Sequence, residues 1–174
     1  MKTQANSTTV DHVTLSQAQT PEDIAAIRAL FEEYQRFLGF DLCFQGFSEE
    51  LAQLPGKYGP PDGILLLARV ENALAGCIAL YRMNTPAGEP KTGEIKRLYV
   101  RENYAGQGIG KALFSAVIDR ARKMGYGRLR LDSLRRMTQA GKLYRQFGFS
   151  EIQPYNYNPQ EDVYYMELTL GDNV

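Results

Sequence analysis

The chain has 174 residues, of which 44% are hydrophobic and 23% charged, a composition typical of soluble globular proteins and unlike that of disordered or fibrous ones. The length favours one domain with its own core, and no apolar run approaches the roughly 20 residues that a membrane-spanning helix needs. The net charge is zero, but from Lys91 to Ser150 we count 14 Lys and Arg against 4 Asp and Glu, and elsewhere 6 against 16. A basic segment of this kind suits a polyanionic ligand, although solvated helix faces also account for such charges.

The cysteine and histidine content argues against a resident metal ion. His12, Cys43 and Cys77 lack the spacing of metal ligands, so we expect no metal cofactor. The polar start, MKTQANSTTVDHV, lacks the apolar centre of a signal peptide, and two widely separated cysteines suit a reducing compartment. We therefore expect a cytoplasmic protein with a flexible N-terminus, residues 1–9, and a single domain, residues 10–174.

The first half of the chain predicts a strand, two helices and a hairpin. HVTLSQA alternates between apolar and polar residues, as a strand does. TPED combines a hydroxyl cap, a first-turn proline and acids, which predicts a helix start, and apolar residues at helical spacing continue to Leu38. SEEL begins a short second helix, and LPGKYGPPDG is a loop by composition. ILLLARV and LAGCIALYRM then predict a hairpin that turns at Glu71 and Asn72.

The second half alternates strands with helices. EIKRLYV is a predicted strand, and a long amphipathic helix follows from Gly108 until Gly125 or Gly127 ends it. RLRLDS predicts a strand, AGKLYRQF a helix that stops at Gly148, and DVYYMELTL a last strand, with a further short strand near Phe149–Ile152. The predicted order is βααβββαβαβ(β), which makes this an α/β (α+β) chain.

The segment YVRENYAGQGIGKAL places three alternate glycines between a strand and a helix: Gly106, Gly108 and Gly110. It is not a Walker A loop, which would need a glycine in place of Ala105 and a hydroxyl in place of Ala112, and the dinucleotide fingerprint fits neither register. A helix N-terminus offers unpaired N–H groups and a positive dipole end. The loop is therefore predicted to bind pyrophosphate. The alternative is that the glycines serve only to turn the chain.

These residues resemble the signature of the GCN5-related N-acetyltransferases (GNAT superfamily), [Q/R]-x-x-G-x-[G/A] between a strand and a long helix. Here that motif reads AGQGIG, Ala105–Gly110, and the later family motif A-x-x-L-Y-x-x-x-G-F reads AGKLYRQFGF, Ala140–Phe149. The motifs occur in the family's order, and the resemblance runs from about Val10 to Leu170. Two residues depart from the pattern, since Ala105 replaces the usual Gln or Arg, and Met137 stands where many relatives have Asn.

The resemblance implies the GNAT fold, a central mixed sheet of about six to seven strands flanked by helices on both faces. It also implies acetyl-CoA (coenzyme A) as co-substrate. The loop would bind the pyrophosphate, and the pantetheine arm would lie along the strand before it. The implied cofactor-binding positions are Leu98, Tyr99, Val100, Ala105, Gly106, Gln107, Gly108, Ile109, Gly110 and Lys111.

The implied activity is N-acetyltransferase: the acetyl group moves to a primary amine of a small molecule or peptide by direct attack in a ternary complex. Tyr144 matches the family tyrosine that protonates the leaving thiolate, and the alternative is an aromatic core residue. Glu94 is the candidate base that accepts the amine's proton, directly or through water. The alternative for Glu94 is a surface carboxylate paired with Lys96. Asp132 is a second candidate for the base.

The acceptor is not identified by any motif. Phe44, Phe47 and Tyr58, in the segment after the first helix, either line an acceptor pocket or pack in the core. Four tyrosines near the C-terminus lie at the other wall of that pocket or at a homodimer contact: Tyr155, Tyr157, Tyr164 and Tyr165. The alternative function is a catalytically silent coenzyme A sensor or interaction module on the same fold. The departures from the family pattern at Ala105 and Met137 are the reason to consider it. Nucleic acid is not an expected partner, because the basic residues fall on the cofactor segment and no base-stacking motif is visible. A membrane is not expected either, because no apolar run is long enough to span one.

Overall fold

In the computed structural model, which describes residues 9–10 and 12–171, eight strands form one sheet in the order β1-β2-β3-β4-β5-β6-β8-β7. The strands are β1 Thr9–Val10, β2 Val13–Gln17, β3 Ile64–Val70, β4 Ala73–Arg82, β5 Thr92–Val100, β6 Arg128–Leu134, β7 Ser150–Ile152 and β8 Val163–Thr169. The helices are α1 Pro21–Leu38, α2 Phe47–Gln53, α3 Ile109–Lys123 and α4 Thr138–Gln146. Neighbouring strands are antiparallel except β5 and β6, which are parallel.

The predicted element order is confirmed, and local sequence explains most of the boundaries. β2 to β8 fit the expected number of strands, and the two-residue β1 adds an eighth. Glu71 and Asn72 have φ angles of 48° and 71°, as a two-residue turn with left-handed central residues requires. The expected flexible segment, residues 1–9, lies outside the described residues apart from Thr9. None of the helices in the described ranges is long and apolar enough to cross a membrane.

The start of α1 is fixed by a reciprocal pair of hydrogen bonds. The Thr20 hydroxyl accepts the Asp23 N–H at 3.1 Å, and the Asp23 carboxylate accepts the Thr20 N–H at 3.3 Å. This capping box satisfies two first-turn donors. The helix ends where Gly39 adopts a left-handed φ of 76°, so both ends of α1 follow from its own residues.

Two apolar clusters cover opposite faces of the sheet. Leu66, Ile78 and Leu80 pack with α3 and α4, whereas Leu65 and Leu67 pack with α1 and α2. Alternate residues of a strand point to opposite faces, so these neighbours on β3 separate the two clusters. The expectation of helices on both faces of a mixed sheet is therefore confirmed.

The parallel pair β5 and β6 separates after a short contact. Their register covers only Thr92 to Glu94, opposite Arg128 to Arg130. On its other side, β5 has an irregularity opposite Cys77 and Ala79 of β4, and there Arg97 has a left-handed φ of 60°. A bulge of this kind bends its strand. In the described part of the chain, the second half of β5 thus has β4 as its only strand neighbour, and a gap opens toward β6.

Candidate active site

A cavity occupies the gap between β5 and β6. Its lining comes from α1 and the segment after it, from both strands, from α4 and from the loop before β8: Tyr34, Leu38, Phe40, Leu42, Phe44, Gln45, Ile95, Lys96, Arg97, Leu98, Leu131, Asp132, Ser133, Leu134, Met137, Ala140, Tyr144 and Asn158. Because α1 and α4 pack on opposite faces of the sheet, the cavity is bordered by residues from both faces. Two ligands that approach from opposite sides would meet in it.

The glycine-rich loop leads from the end of β5 into α3. Gly106 and Gly108 both have a φ of 77°, a left-handed conformation that favours glycine. A Cβ atom added to either residue would meet no protein atom within 4 Å, so open space lies beside the backbone. The Ala112 N–H donates to the Gly108 carbonyl at 3.0 Å, and the N–H groups of the preceding first turn are therefore the helix N-terminal donors. This open cradle fits a phosphate-bearing ligand such as coenzyme A.

The other predicted cofactor-binding residues lie around the same junction. Leu98 lines the cavity. Tyr99 turns to the α1 face, where its ring centroid is 6.1 Å from that of Tyr34. Val100 packs near the start of α3, with its Cγ2 3.7 Å from the Cβ position of Gly110. Ile109 is only 1% exposed and packs in the core cluster beneath the loop. The exposed loop positions are Ala105, Gly106, Gln107, Gly108 and Lys111.

Tyr144 both packs in the core and borders the cavity. Its ring centroid is 5.2 Å from that of Phe114 and 6.4 Å from that of Phe149, and 7% of the residue is exposed. Burial is the main cause that raises the pKa of Tyr144 well above its usual value of 10.0. The phenol therefore keeps its proton at neutral pH. The packing role and a donor role are compatible, because the same residue lines the cavity.

Glu94 belongs to a buried charged cluster. Its Oε1 is 2.9 Å from Lys96 Nζ and accepts a hydrogen bond from the Tyr81 hydroxyl at 3.2 Å. Lys96 Nζ is also 3.5 Å from Asp132 Oδ1, and the Asn158 amide donates to Asp132 Oδ2 at 3.2 Å. Burial opposes the charge on Lys96, but Asp132 and Glu94 outweigh it and raise the pKa of the ammonium. Two carboxylates thus share one buried cation.

Glu94 pairs with Lys96, as the alternative to its role as a base predicts, but the surface position in that alternative is wrong. Glu94 is 1% exposed, because β5 is a central strand that is covered on both faces. Lys96 and Asp132 line the cavity, and Glu94 lies behind Lys96. A ligand in the cavity could therefore contact Asp132 directly, whereas Glu94 lies behind the side chain of Lys96.

A second buried ion pair, which the sequence did not predict, ties α2 to β5. Arg97 Nε donates to Glu50 Oε2 at 2.9 Å, and Arg97 Nη1 donates to Gln45 Oε1 at 2.9 Å. The Tyr58 hydroxyl donates to Glu50 Oε1 at 2.7 Å. One signal in the sequence could have suggested this buried ion pair. The segment EIKRLY places adjacent charged residues in a strand that must have neighbouring strands on both sides. Asn158 carries no such signal.

The pairing of Glu50 predicts a loss of stability in acid. Burial opposes its charge, but Arg97 outweighs burial and holds the pKa of Glu50 below its usual value of 4.5. A carboxyl with a depressed folded pKa stabilises the fold above its unfolded pKa, and that stability is lost as pH falls through the folded pKa. We expect Glu50→Gln to lower the free energy of unfolding at pH 7, where it leaves Arg97 without its counter-ion, and by less in acid below the folded pKa. Urea unfolding at both pH values measures this.

The matched control is Glu49→Gln at the neighbouring exposed position. This variant should unfold like the wild type at neutral and acid pH. A Glu50→Gln variant with the same loss at both pH values would contradict a pH-dependent contribution from this ion pair.

The aromatic residues of the two flanking segments divide between cavity and core. Phe44 lines the cavity, whereas Phe47 and Tyr58 are buried in the core at 5% and 0% exposure. Tyr155 packs against Tyr165 with ring centroids 5.1 Å apart. Tyr157 is 77% exposed. Of the three acceptor-side candidates, Phe44 alone lines this cavity.

The chain has known relatives along most of its length. Residues 25–149 match the Acetyltransferase (GNAT) family. An uncharacterized N-acetyltransferase of Schizosaccharomyces pombe is 39% identical over 161 residues, which cover 92% of this chain and 96% of that protein. The fold is similar to an acetyltransferase from Streptococcus agalactiae, with a TM-score of 0.74, 20% identity and coverage of 92% and 100% of the two chains. It is also similar to a Salmonella typhimurium protein solved with its cofactor acetyl-CoA, with a TM-score of 0.66, 20% identity and coverage of 94% and 96%. The chain belongs to the GNAT family and is an acetyltransferase.

Proposed function

We propose that this acetyltransferase moves the acetyl group of acetyl-CoA to a primary amine of a small molecule or peptide by direct attack in a ternary complex. The observation that carries the proposal is the gap between β5 and β6, which is bordered by residues from both faces of the sheet. Direct transfer requires both substrates at one place and in one orientation. A gap through the sheet supplies that place without a covalent enzyme intermediate.

The proposed cofactor site runs from the gap to the start of α3. The second half of β5, at Leu98, Tyr99 and Val100, has a free edge on its β6 side in the described chain, and such an edge offers backbone groups to an extended ligand. The loop and first turn, residues 105–111, would hold the pyrophosphate by their N–H groups. Ala105 adds no polar side chain there. Met137 lines the cavity, so at that position the pantetheine arm would meet an apolar contact.

The proposed acid and base come from opposite sides of the gap. Acetyl-CoA supplies an acetyl thioester, and its free thiol has a pKa around 8.5. Tyr144 holds a proton at neutral pH and would donate it to the departing sulfur. Glu94 would accept the proton of the amine through a water, since Lys96 separates it from the cavity. Asp132, which lines the cavity, is the second candidate for the base. The contacts of Glu94 with Lys96 and Tyr81 both involve its Oε1 atom, which leaves Oε2 as the oxygen to accept a proton.

The test is thiol release from acetyl-CoA with a panel of amines, amino acids, aminoglycosides, polyamines and peptides. We expect release that depends on the amine, and acetylated amine as the product. Calorimetry with coenzyme A accompanies the assay. Binding of coenzyme A without release for any amine would contradict the proposal and support the catalytically silent sensor or interaction module.

Four further expectations accompany the proposal. We propose that residues 10–174 form one domain and that it acts in the cytoplasm. Homodimer formation stays a prediction that sedimentation would test. Nucleic acids and membranes are not expected as partners.

Coenzyme A binding should weaken as salt concentration rises. The segment Lys91 to Ser150, with 14 cationic and 4 anionic residues, contains the glycine loop, and the attraction between exposed charges is screened within about 8 Å at physiological ionic strength. Calorimetric titrations at low and high salt measure the effect. Pantetheine, which lacks the phosphates, is the control and should bind equally at both. A coenzyme A affinity that does not change with salt would assign these charges to surfaces unrelated to the cofactor.

A further inference from the structure

We propose that the acceptor is a monoamine that carries an aromatic ring, rather than a polyamine or an aminoglycoside. This inference rests on the proposed function and narrows its acceptor to one chemical class. Two independent features of the cavity carry it. One is a pair of partly exposed aromatic rings on the acceptor side, and the other is the charge of the cavity lining.

The aromatic rings are presented by residues 40–45, between α1 and α2. Gly39 and Gly46, with φ angles of 76° and 68°, turn the chain at either end of this segment. Leu42, at 2% exposure, anchors it in the core. Phe40 and Phe44 stack on each other with ring centroids 6.4 Å apart and an interplanar angle of 26°, and both line the cavity while staying partly exposed.

A ligand ring would complete this stack. Aromatic pairs that are offset-stacked or edge-to-face gain free energy beyond that of buried area. Tyr34 and Leu38 of α1 extend the same apolar wall. The wall therefore suits the ring of an acceptor, and a long hydrated chain with several charges would leave these rings without a partner.

The charges of the lining allow one ammonium group and disfavour more. The lining includes three charged residues, Lys96, Arg97 and Asp132. Glu94 and Glu50 contact the two cations from behind, so the buried cluster has three carboxylates against two cations, an excess of one negative charge. Asp132 already interacts with Lys96, and Arg97 is held by Glu50 of α2. An acceptor with one amine needs one carboxylate near the reacting nitrogen. A polyamine would bring further positive charges against Lys96 and Arg97, which are only 9% and 4% exposed, and buried charges interact more strongly than charges in water.

The border of the aromatic wall adds to this charge argument. The guanidinium of Arg136 lies 5.7 Å from the centre of the Phe40 ring, and Arg136 Nη1 is 2.7 Å from Asp162 Oδ1. A second ammonium on the acceptor would therefore approach the guanidinium of Arg136, and Asp162, the nearby carboxylate, is already paired with that guanidinium. A neutral aromatic ring meets no such repulsion.

The experiment compares kcat/KM for 2-phenylethylamine, butylamine and spermidine, measured by thiol release from acetyl-CoA. We expect 2-phenylethylamine to be preferred over the other two by about 10-fold or more, the scale of an added apolar or aromatic contact. Phe44→Leu keeps an apolar side chain but removes the ring. It should reduce the preference for 2-phenylethylamine over butylamine by about 3–10-fold, with little change in coenzyme A affinity.

The matched control is Tyr157→Ala, which removes a ring that is 77% exposed and should leave the preference unchanged. Phe40→Leu serves as a second ring variant if thermal unfolding shows that Phe44→Leu is destabilised. The proposed acceptor class would be overturned if butylamine or spermidine were used as well as 2-phenylethylamine, or if a folded Phe44→Leu or Phe40→Leu variant kept the wild-type preference. Either result would leave the proposed acetyl transfer to amines intact. Release with none of these amines and none of the wider panel would overturn the proposed function together with this inference.

Discussion

Replacement of Tyr144 by Phe should lower the turnover number by about 100-fold or more, the scale expected when a general acid is lost. The substitution removes one oxygen and keeps the ring that packs against Phe114 and Phe149, so the core should stay intact. Coenzyme A affinity should change little, because the proposed proton transfer matters as the thiolate forms and not in the bound ground state. Steady-state thiol release and calorimetry measure the two quantities.

Tyr126→Phe is the matched control for the loss of a buried phenol oxygen. Tyr126 is 3% exposed and its hydroxyl donates to the Asp62 carbonyl, so this variant should lose some stability but keep its turnover. If Tyr144→Phe retains wild-type turnover when pre-steady-state kinetics show that chemistry limits the rate, the proton comes from water or from another residue. Tyr144 would then be a packing residue only.

Replacement of Gly108 by Val should abolish coenzyme A binding while the protein stays folded. The space beside Gly108 contains no protein atom within 4 Å, so a branched side chain would fill the place proposed for the pyrophosphate. The φ of 77° adds a backbone cost, on the order of 1–2 kcal/mol for a side chain in the left-handed region. Calorimetry with coenzyme A should show no binding, and circular dichroism should show a folded protein.

Gly125→Val separates the loss of the ligand site from backbone strain. Gly125 follows the other end of α3, has a φ of 81° and also faces open space, so its substitution should cost similar stability and leave coenzyme A affinity unchanged. A folded Gly108→Val protein with wild-type affinity would remove the loop from the cofactor site. Equal loss of binding in both variants would point to strain in α3 instead of a blocked cradle.

For Glu94, the local sequence predicts the pairing of the side chain but not its burial. Its place on a strand and its pairing with Lys96 follow from sequence, because residues two apart on a strand share a face. Its burial does not, since exposure depends on what lies against the strand. Here the Tyr81 hydroxyl from β4 and the Lys96 ammonium, which also reaches Asp132 of β6, enclose the carboxylate.

The sequence by itself determined the order of the elements, the starts of α1 and α3, the turn at Glu71 and Asn72, and the place of the glycine loop at a helix start. Each of these depends on residues that are neighbours in the chain: a capping box, a left-handed turn, or apolar spacing along one helix. The loop's motif in turn indicated the GNAT family, which the relatives confirm.

Only the tertiary structure decided the shape and the charges of the candidate site. The separation of β5 from β6 follows from a bulge at Arg97, and the pairing of Arg97 with Glu50 joins residues 47 positions apart. Asn158 reaches Asp132 across 26 positions. Contacts of this range arise when packed elements bring distant side chains together, and hydrophobic periodicity, which reports only the face and type of an element, does not encode them.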